Sequence, residues 1–353
     1  MHIPDGFLSA PVAAAAGAVS LGAVAFSVRR ATGELNERTV PLLGVTAAFV
    51  FAAQMLNFPV AGGTSGHFLG AMLVAVLMGP YAAAIVLTVV LVVQSLVMAD
   101  GGITALGANI FNMAVIGGIL GYLVFIALKR ILPKSVTGYF FSLAIASWLS
   151  VVAASIAASL ELAASGTVPL SIALPAMTSV HMVIGIGEAL ITSTVVAAVL
   201  VSRPDLVRTY DLARGSLIGR RTGVFGRRGR MWGFVLCAMV VALALAVFVS
   251  PFASRSPDGL EKVAADKGFE QTATQQPVWS QAPLKDYALP GIHSAGAATA
   301  VAGGLGAIFL FGLVLLLGRV LGRRRASPTG PLTASPAAAA RHAGRSGPGA
   351  DTA

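Results

Sequence analysis

The sequence predicts an all-α polytopic membrane protein. Of its 353 residues, 56% are hydrophobic and only 11% are charged, whereas soluble domains carry about 25% charged residues. The mean hydropathy is +0.83. Several apolar runs reach or approach the length of about 20 residues that a helix needs to cross a bilayer. No run shows the alternating pattern of an outer-membrane barrel, so helical spans are predicted.

Nine apolar runs are predicted to be membrane-spanning helices. They cover residues 11–28, 40–58, 68–79, 81–98, 106–128, 138–164, 175–201, 232–249 and 297–317. The third and fourth runs are separated at Gly79-Pro80, because proline lacks the amide hydrogen that would continue a helix. A single bent helix over residues 68–98 is the alternative.

The positions of the basic residues favour nine spans and give an orientation. With nine spans, all but four of the 24 lysine and arginine residues fall on one side of the membrane, and cytoplasmic loops carry the excess of such residues. The other four, Arg255, Lys262, Lys267 and Lys285, share one long outer segment. We therefore expect a multi-pass plasma-membrane protein with its amino terminus outside and its carboxyl terminus in the cytoplasm. The net charge of +10 then reflects topology and not nucleic-acid binding.

Composition divides the chain into four parts. Residues 1–201 form a predicted seven-span domain, residues 202–231 an Arg-rich cytoplasmic linker, and residues 232–318 a two-span hairpin whose outer segment covers about residues 250–296. Residues 319–353 form a cytoplasmic tail that is predicted to be disordered, because Ala, Pro, Gly and Ser dominate it. The first residues lack a positive segment and a cleavage site, so we expect the start of the chain to be retained.

Polar side chains converge on the outer face of the predicted bundle. Polar groups in hydrocarbon are costly, so their positions mark candidate sites. The residues at this level within or beside spans are Gln54, Asn57, Gln94, Asn109, Asn112 and His181, joined by His2, His67 and Asp100 from the termini and loops. The alternative is that the amides only hold helices together.

Glu188 differs from this group because it lies near the middle of the membrane. It follows His181 by seven residues and therefore shares its helix face. Three roles remain open for Glu188: a group behind the metal ligands, a proton or ion relay, or a structural group bonded to Ser or Thr. His293 and His342 are predicted to be solvated histidines outside the cluster.

A histidine at position 2 can form a chelate that a histidine elsewhere cannot. The amine of Met1, the amide nitrogen of His2 and its imidazole can close consecutive rings on one ion. Such a nitrogen set suits Ni²⁺ or Cu²⁺, whereas Mg²⁺ and Ca²⁺ prefer oxygen. His67, in a loop with three glycines, is the candidate for the fourth ligand. Pro4-Asp5-Gly6 would turn the chain back into the bundle, with Ile3 and Phe7 as anchors.

Three motifs carry a family resemblance. They are Met-His-Ile-Pro-Asp-Gly-Phe-Leu at 1–8, Gly-Thr-Ser-Gly-His-Phe-Leu-Gly at 63–70, and His-Met-Val-Ile-Gly-Ile-Gly-Glu-Ala-Leu-Ile-Thr at 181–192. In this order they resemble the CbiM/NikM membrane component of nickel and cobalt energy-coupling-factor transporters, over about residues 1–201. Ser-Pro-Asp-Gly-Leu-Glu at 256–261 resembles the small CbiN/NikN accessory subunit, here fused to the first domain.

The resemblance implies a seven-span bundle like that of energy-coupling-factor substrate-binding components. It also implies that Met1, His2 and His67 bind Ni²⁺ or Co²⁺ as the transported substrate, with no permanent cofactor. Partner ATPases, a transmembrane coupling protein and a fused hairpin that assists loading or transport are implied as well. The chain itself has no Gly-x-x-x-x-Gly-Lys-[Ser/Thr] motif, so it is predicted not to be an enzyme and to rely on its partners for ATP hydrolysis.

Two further alternatives remain at this stage. An ion-coupled secondary carrier that uses His181 and Glu188 would need no partners. The small residues Ala14, Ala18 and Gly22 on the first span form a close-packing face, either for a coupling subunit or for internal helix packing. Planar nitrogen coordination favours nickel over cobalt, yet Cu²⁺ would bind such a site at least as well.

Overall fold

The computed structural model describes residues 1–33, 39–60, 62–210, 227–272, 278–279 and 281–323. In chain order its helices are α1 (Ala10–Ala31), α2 (Thr39–Gln54), α3 (Ala71–Met78), α4 (Pro80–Val93, continued by a π-helical turn over Gln94–Met98), α5 (Leu106–Ile131, π-helical over Phe111–Leu120), α6 (Val136–Ala164), α7 (Leu170–Ser202), α8 (Arg227–Ala244, continued to Phe252), α9 (Gly259–Lys267) and α10 (Ala295–Arg323). Short 3-10 turns cover Pro204–Leu206, Glu270–Thr272 and Lys285–Tyr287.

The predicted class, a helical multi-pass membrane protein, is confirmed. Within the described ranges, seven helices of at least 18 residues are apolar enough to cross a membrane, and α2 adds a shorter apolar helix of 16 residues. Each predicted run overlaps one helix. Part of the predicted linker, residues 211–226, and the tail from residue 324 with His342 lie outside the described residues.

The third predicted span is shorter than expected. Helix α3 has eight residues and rises only about 12 Å, so it does not cross a bilayer as a helix. The alternative of one bent helix over residues 68–98 is wrong, because Gly79 adopts φ 98° and ψ 162° between α3 and α4. Glycine tolerates that conformation, and Pro80 then begins α4 at a position that needs no amide hydrogen.

A small β-hairpin leads into α3. Strands β1 (Phe58–Val60) and β2 (Thr64–Gly66) pair antiparallel, with Phe58 opposite Gly66. Gly62 and Gly63 make the turn with φ angles of 81° and 74°, which residues other than glycine rarely adopt. The hairpin therefore places His67 directly after a buried strand, at the entrance to the bundle.

The late helices α8 and α10 pack against helices of the first 202 residues. Ala246, Ala307 and Leu310 belong to the same apolar core as Phe51 of α2. A Cβ at Gly306 would lie 2.5 Å from the Phe51 ring, so only glycine allows this close approach of α10 to α2.

Helix α1 packs inward through residues other than the predicted small face. Ser20 donates a hydrogen bond to the carbonyl of Gly107 at 2.7 Å, and a Cβ at Gly107 would meet the Gly17 Cα at 2.4 Å. Ala14, Ala18 and Gly22 are all exposed. Internal packing therefore does not account for these three small residues.

Candidate metal centre

The amine of Met1 and the imidazole of His67 meet inside the bundle. The amine nitrogen lies 2.8 Å from Nε2 of His67, and Met1 is only 5% exposed. Two nitrogen ligands at right angles, each about 2.0 Å from an ion, stand about 2.8 Å apart. The hydrogen bond that joins the two nitrogens thus holds them at the spacing of adjacent metal ligands.

His2 lies against the same pair. Its ring stacks on the His67 ring with centroids 5.1 Å apart and planes 18° apart. Its Nδ1 is 3.2 Å from Oδ1 of Asp100. Its Nε2 is buried and, within the part of the chain that the structure describes, has no hydrogen-bond partner. The His2 ring therefore lies beside His67, and Nδ1, the nitrogen that can close a chelate ring with the His2 amide, faces Asp100.

Asn109 fixes the backbone just after His2. Its side-chain oxygen accepts a hydrogen bond from the amide of Ile3 at 2.8 Å, and its nitrogen donates to the carbonyl of Ile3 at 3.1 Å. Oδ1 of Asp5 accepts hydrogen bonds from the amide and the hydroxyl of Thr104. Ile3 and Phe7 are buried, as the sequence predicts for anchors. The start of the chain is thereby held inside the protein.

Glu188 holds the backbone that follows His67. Its two carboxylate oxygens accept hydrogen bonds from the amides of Leu69 at 2.6 Å and Gly70 at 3.0 Å. Gln54 donates to the Leu69 carbonyl at 2.8 Å. This non-helical segment is buried within the bundle, where backbone groups need internal partners. These bonds give Glu188 backbone amides as partners, whereas the structural role predicted for it was a bond to Ser or Thr.

Of the remaining predicted residues, Gln94 and His181 lie near Met1, His2 or His67. Gln94 donates to Gln54 at 2.9 Å and lies beside His2. His181 bonds through Nδ1 to the carbonyl of Met177 at 2.8 Å, and it lines a small cavity together with Met1 and His67. Asn112 donates to Glu161 at 2.7 Å and not to Met1, His2 or His67. Asn57 is half-buried, and its carbonyl accepts from the amide of Ser254. His293 is exposed.

Two residues of the late hairpin reach the site, and sequence reasoning did not place them there. Oδ2 of Asp258 lies 2.6 Å from the amine of Met1. The hydroxyl of Tyr287 donates to Oδ2 of Asp100 at 2.5 Å and accepts from Gln94. The Asp-Gly-Leu-Glu sequence is a capping-box signal for a helix start, but nothing local indicates its partner 257 positions earlier.

The electrostatics favour neutral imidazoles. Burial lowers the pKa of His67, and the positive amine and His2 lower it further. Burial also lowers the pKa of His2, against the opposing effect of Asp100. Burial alone would raise the pKa of Asp258, but the amine and His67 more than offset this effect and hold the pKa below its usual range. The site therefore offers free nitrogen lone pairs beside a carboxylate.

Main-chain nitrogens could complete a set of donors here. Among the residues that the structure describes, no three His, Cys, Asp or Glu side chains gather in a way that could hold an ion. The amine of Met1 and the amide of His2 could join the imidazoles of His2 and His67 as four nitrogen donors. Nitrogen-only coordination of this kind disfavours Mg²⁺ and Ca²⁺.

Two family models match separate parts of the chain. Residues 2–206 match the CbiM family, described as the cobalt uptake substrate-specific transmembrane region, and residues 232–323 match the PDGLE domain. A relative from Archaeoglobus fulgidus, named as a NikMN fusion, is 36% identical over 92% of this chain and 98% of its own length. A fused nickel transport protein NikMN from Rhodobacter capsulatus is 36% identical over 59% of this chain and 64% of that protein.

A solved structure, described as a transition metal transporter, is also similar. It is 34% identical, with a TM-score of 0.52, and the match covers 61% of this chain and all of the solved chain, 100%. The CbiM match spans more than half of the 353 residues. The chain therefore belongs to the CbiM family of cobalt uptake substrate-specific transmembrane proteins and carries a PDGLE domain after the CbiM region.

Proposed function

We propose that this chain captures Ni²⁺ or Co²⁺ on the outer face of the plasma membrane and passes the ion inward. It acts as the metal-binding subunit of an ATP-driven, energy-coupling-factor importer. The main observation behind this proposal is the distance of 2.8 Å between the amine of Met1 and Nε2 of His67. The amine, the amide and imidazole of His2, and the imidazole of His67 supply four nitrogens to one ion.

The transport energy comes from partner ATPases through a transmembrane coupling protein. The exposed small residues Ala14, Ala18 and Gly22 of α1 offer a face for that coupling protein, since small residues let helices approach closely in lipid. The geometry argues against the alternative of an ion-coupled carrier that relies on Glu188. Both of its oxygens already accept backbone hydrogen bonds, so a proton relay there would release the segment that follows His67.

The test is metal uptake in cells that express the chain with its ATPase and coupling partners. His67→Ala removes one of the four nitrogens, so radioactive Ni²⁺ uptake should fall to the background of cells without the chain. The matched control is His293→Ala, which removes an exposed imidazole and should leave uptake unchanged. Wild-type uptake by His67→Ala would reject the proposed ligand set.

A further inference from the structure

The turn Pro257–Glu261 lies directly on the segment that carries His67. The carbonyl of Pro257 accepts hydrogen bonds from the amide of Ser65 at 2.8 Å and from the hydroxyl of Thr64 at 3.2 Å. The hydroxyl of Ser65 donates to the carbonyl of Ser256 at 2.7 Å. Residues 256 and 257 therefore bond directly to β2, the strand that leads to His67.

The two oxygens of Asp258 have different partners. Oδ1 accepts hydrogen bonds from the amides of Leu260 and Glu261 at 2.8 and 2.9 Å, which caps helix α9. The side chain of Glu261 completes the capping box by accepting from the amide of Asp258. Oδ2 takes no part in the cap and lies 2.6 Å from the amine of Met1. A helix cap thus fixes the carboxylate that contacts the amine.

The neighbouring residues of the turn fit the same surface. A Cβ at Gly259 would lie 2.8 Å from Cε1 of His181, so only glycine allows the turn to lie on that ring. Leu260 is fully buried in one apolar cluster with Ile3 and Phe7. Pro257 therefore contacts β2, Gly259 contacts the His181 ring, and Leu260 contacts the start of the chain. Asp258 and Glu261 form the helix cap, and Asp258 also contacts the amine of Met1.

We propose that Asp258 is a positioning residue of the metal site, supplied by the PDGLE segment. It holds the amine of Met1 beside Nε2 of His67. An amine bound to an ion keeps two hydrogens, and the carboxylate can continue to accept one of them while the lone pair faces the ion. Its negative charge also offsets the charge that the ion brings into a buried site. This inference rests on the proposed ligand set of Met1, His2 and His67.

The experiment compares two substitutions that separate the cap from the contact with the amine. Asparagine is as good a helix cap as aspartate, but it has one acceptor oxygen and no charge, so it cannot serve both the cap and the amine. We expect Asp258→Asn and Asp258→Ala each to weaken Ni²⁺ binding by about 10- to 100-fold, as for other groups that orient metal ligands. Binding is measured by calorimetry with NiCl₂ on the full-length purified chain with a free amino terminus.

Asp266→Ala is the matched control, because Asp266 belongs to the same short helix and pairs with Lys262. It should bind Ni²⁺ like the wild type. Wild-type affinity in Asp258→Asn would overturn the inference, whether or not Asp258→Ala is weakened, because the carboxylate would then be only a cap. His67→Ala in the same assay separates the two proposals: if it binds normally, the ligand set itself is wrong.

Discussion

Glu188 accepts a hydrogen bond from the backbone amide of Leu69, two residues after His67, at 2.6 Å. Its other oxygen accepts from the amide of Gly70. The residues between β2 and α3 are not helical, and non-helical backbone inside a membrane protein needs partners from elsewhere in the protein. One carboxylate on α7 thus supplies partners for two backbone amides of the segment that follows His67.

Glu188→Gln should lower both thermal stability and Ni²⁺ affinity. The amide has one acceptor oxygen, so one backbone amide loses its partner, at a cost of about 1–3 kcal/mol. The measurement is a thermal melt of the purified chain together with calorimetry. The control is Glu161→Gln, which changes a carboxylate bonded to Asn112 and should leave Ni²⁺ affinity unchanged. Equal effects of the two substitutions on affinity would contradict the assigned role of Glu188.

Asn109→Ala should weaken Ni²⁺ binding, whereas Asn112→Ala should not. Asn109 bonds both backbone groups of Ile3 and so orients the preceding His2, and losing a group that orients metal ligands costs about 10- to 100-fold in affinity. Asn112 lies on the same helix but bonds Glu161. Calorimetry with NiCl₂ on both variants measures the difference. Indistinguishable affinities would mean that the start of the chain is not held through Asn109.

Ni²⁺ binding should tighten as the pH rises from about 6 to 8 and should release protons. The pKa of each imidazole is below the ordinary value of 6.5, so both rings are neutral above that pH and protonate only as the pH falls through the lowered pKa. Protons released near neutral pH therefore do not come from the imidazoles, and the amide of His2 must lose its proton to bind the ion. Calorimetry in two buffers of different ionisation enthalpy counts them, and a count of zero near pH 7.5 would refute this coordination.

Ala18→Trp should abolish ATP-driven uptake without changing Ni²⁺ affinity. Ala18 lies on the exposed face of α1, and a large side chain there would block close helix packing with a coupling protein. Uptake in cells with all partners and calorimetry on the isolated chain measure the two quantities separately. Normal uptake in this variant would show that the partner docks elsewhere.

Local sequence patterns predict much of the fold and part of the site. The length of the apolar runs predicts the helices. The burial of Ile3 and Phe7 on either side of a polar turn also follows from residues that are adjacent in sequence. The length of α3 does not follow, because residues 68–70 continue the apolar run but are not helical and bond to Glu188 and Gln54, which are distant in sequence. The contact of Asp258 with Met1 joins residues 257 positions apart, which no local pattern specifies.

The most direct test of the metal site is Ni²⁺ calorimetry on a chain whose Met1 amine is acetylated. Both histidines remain in place, but the acetylated nitrogen has no free lone pair for an ion. We predict that Ni²⁺ binding falls to the level of His67→Ala. Wild-type affinity in the acetylated chain would contradict the coordination by Met1, His2 and His67.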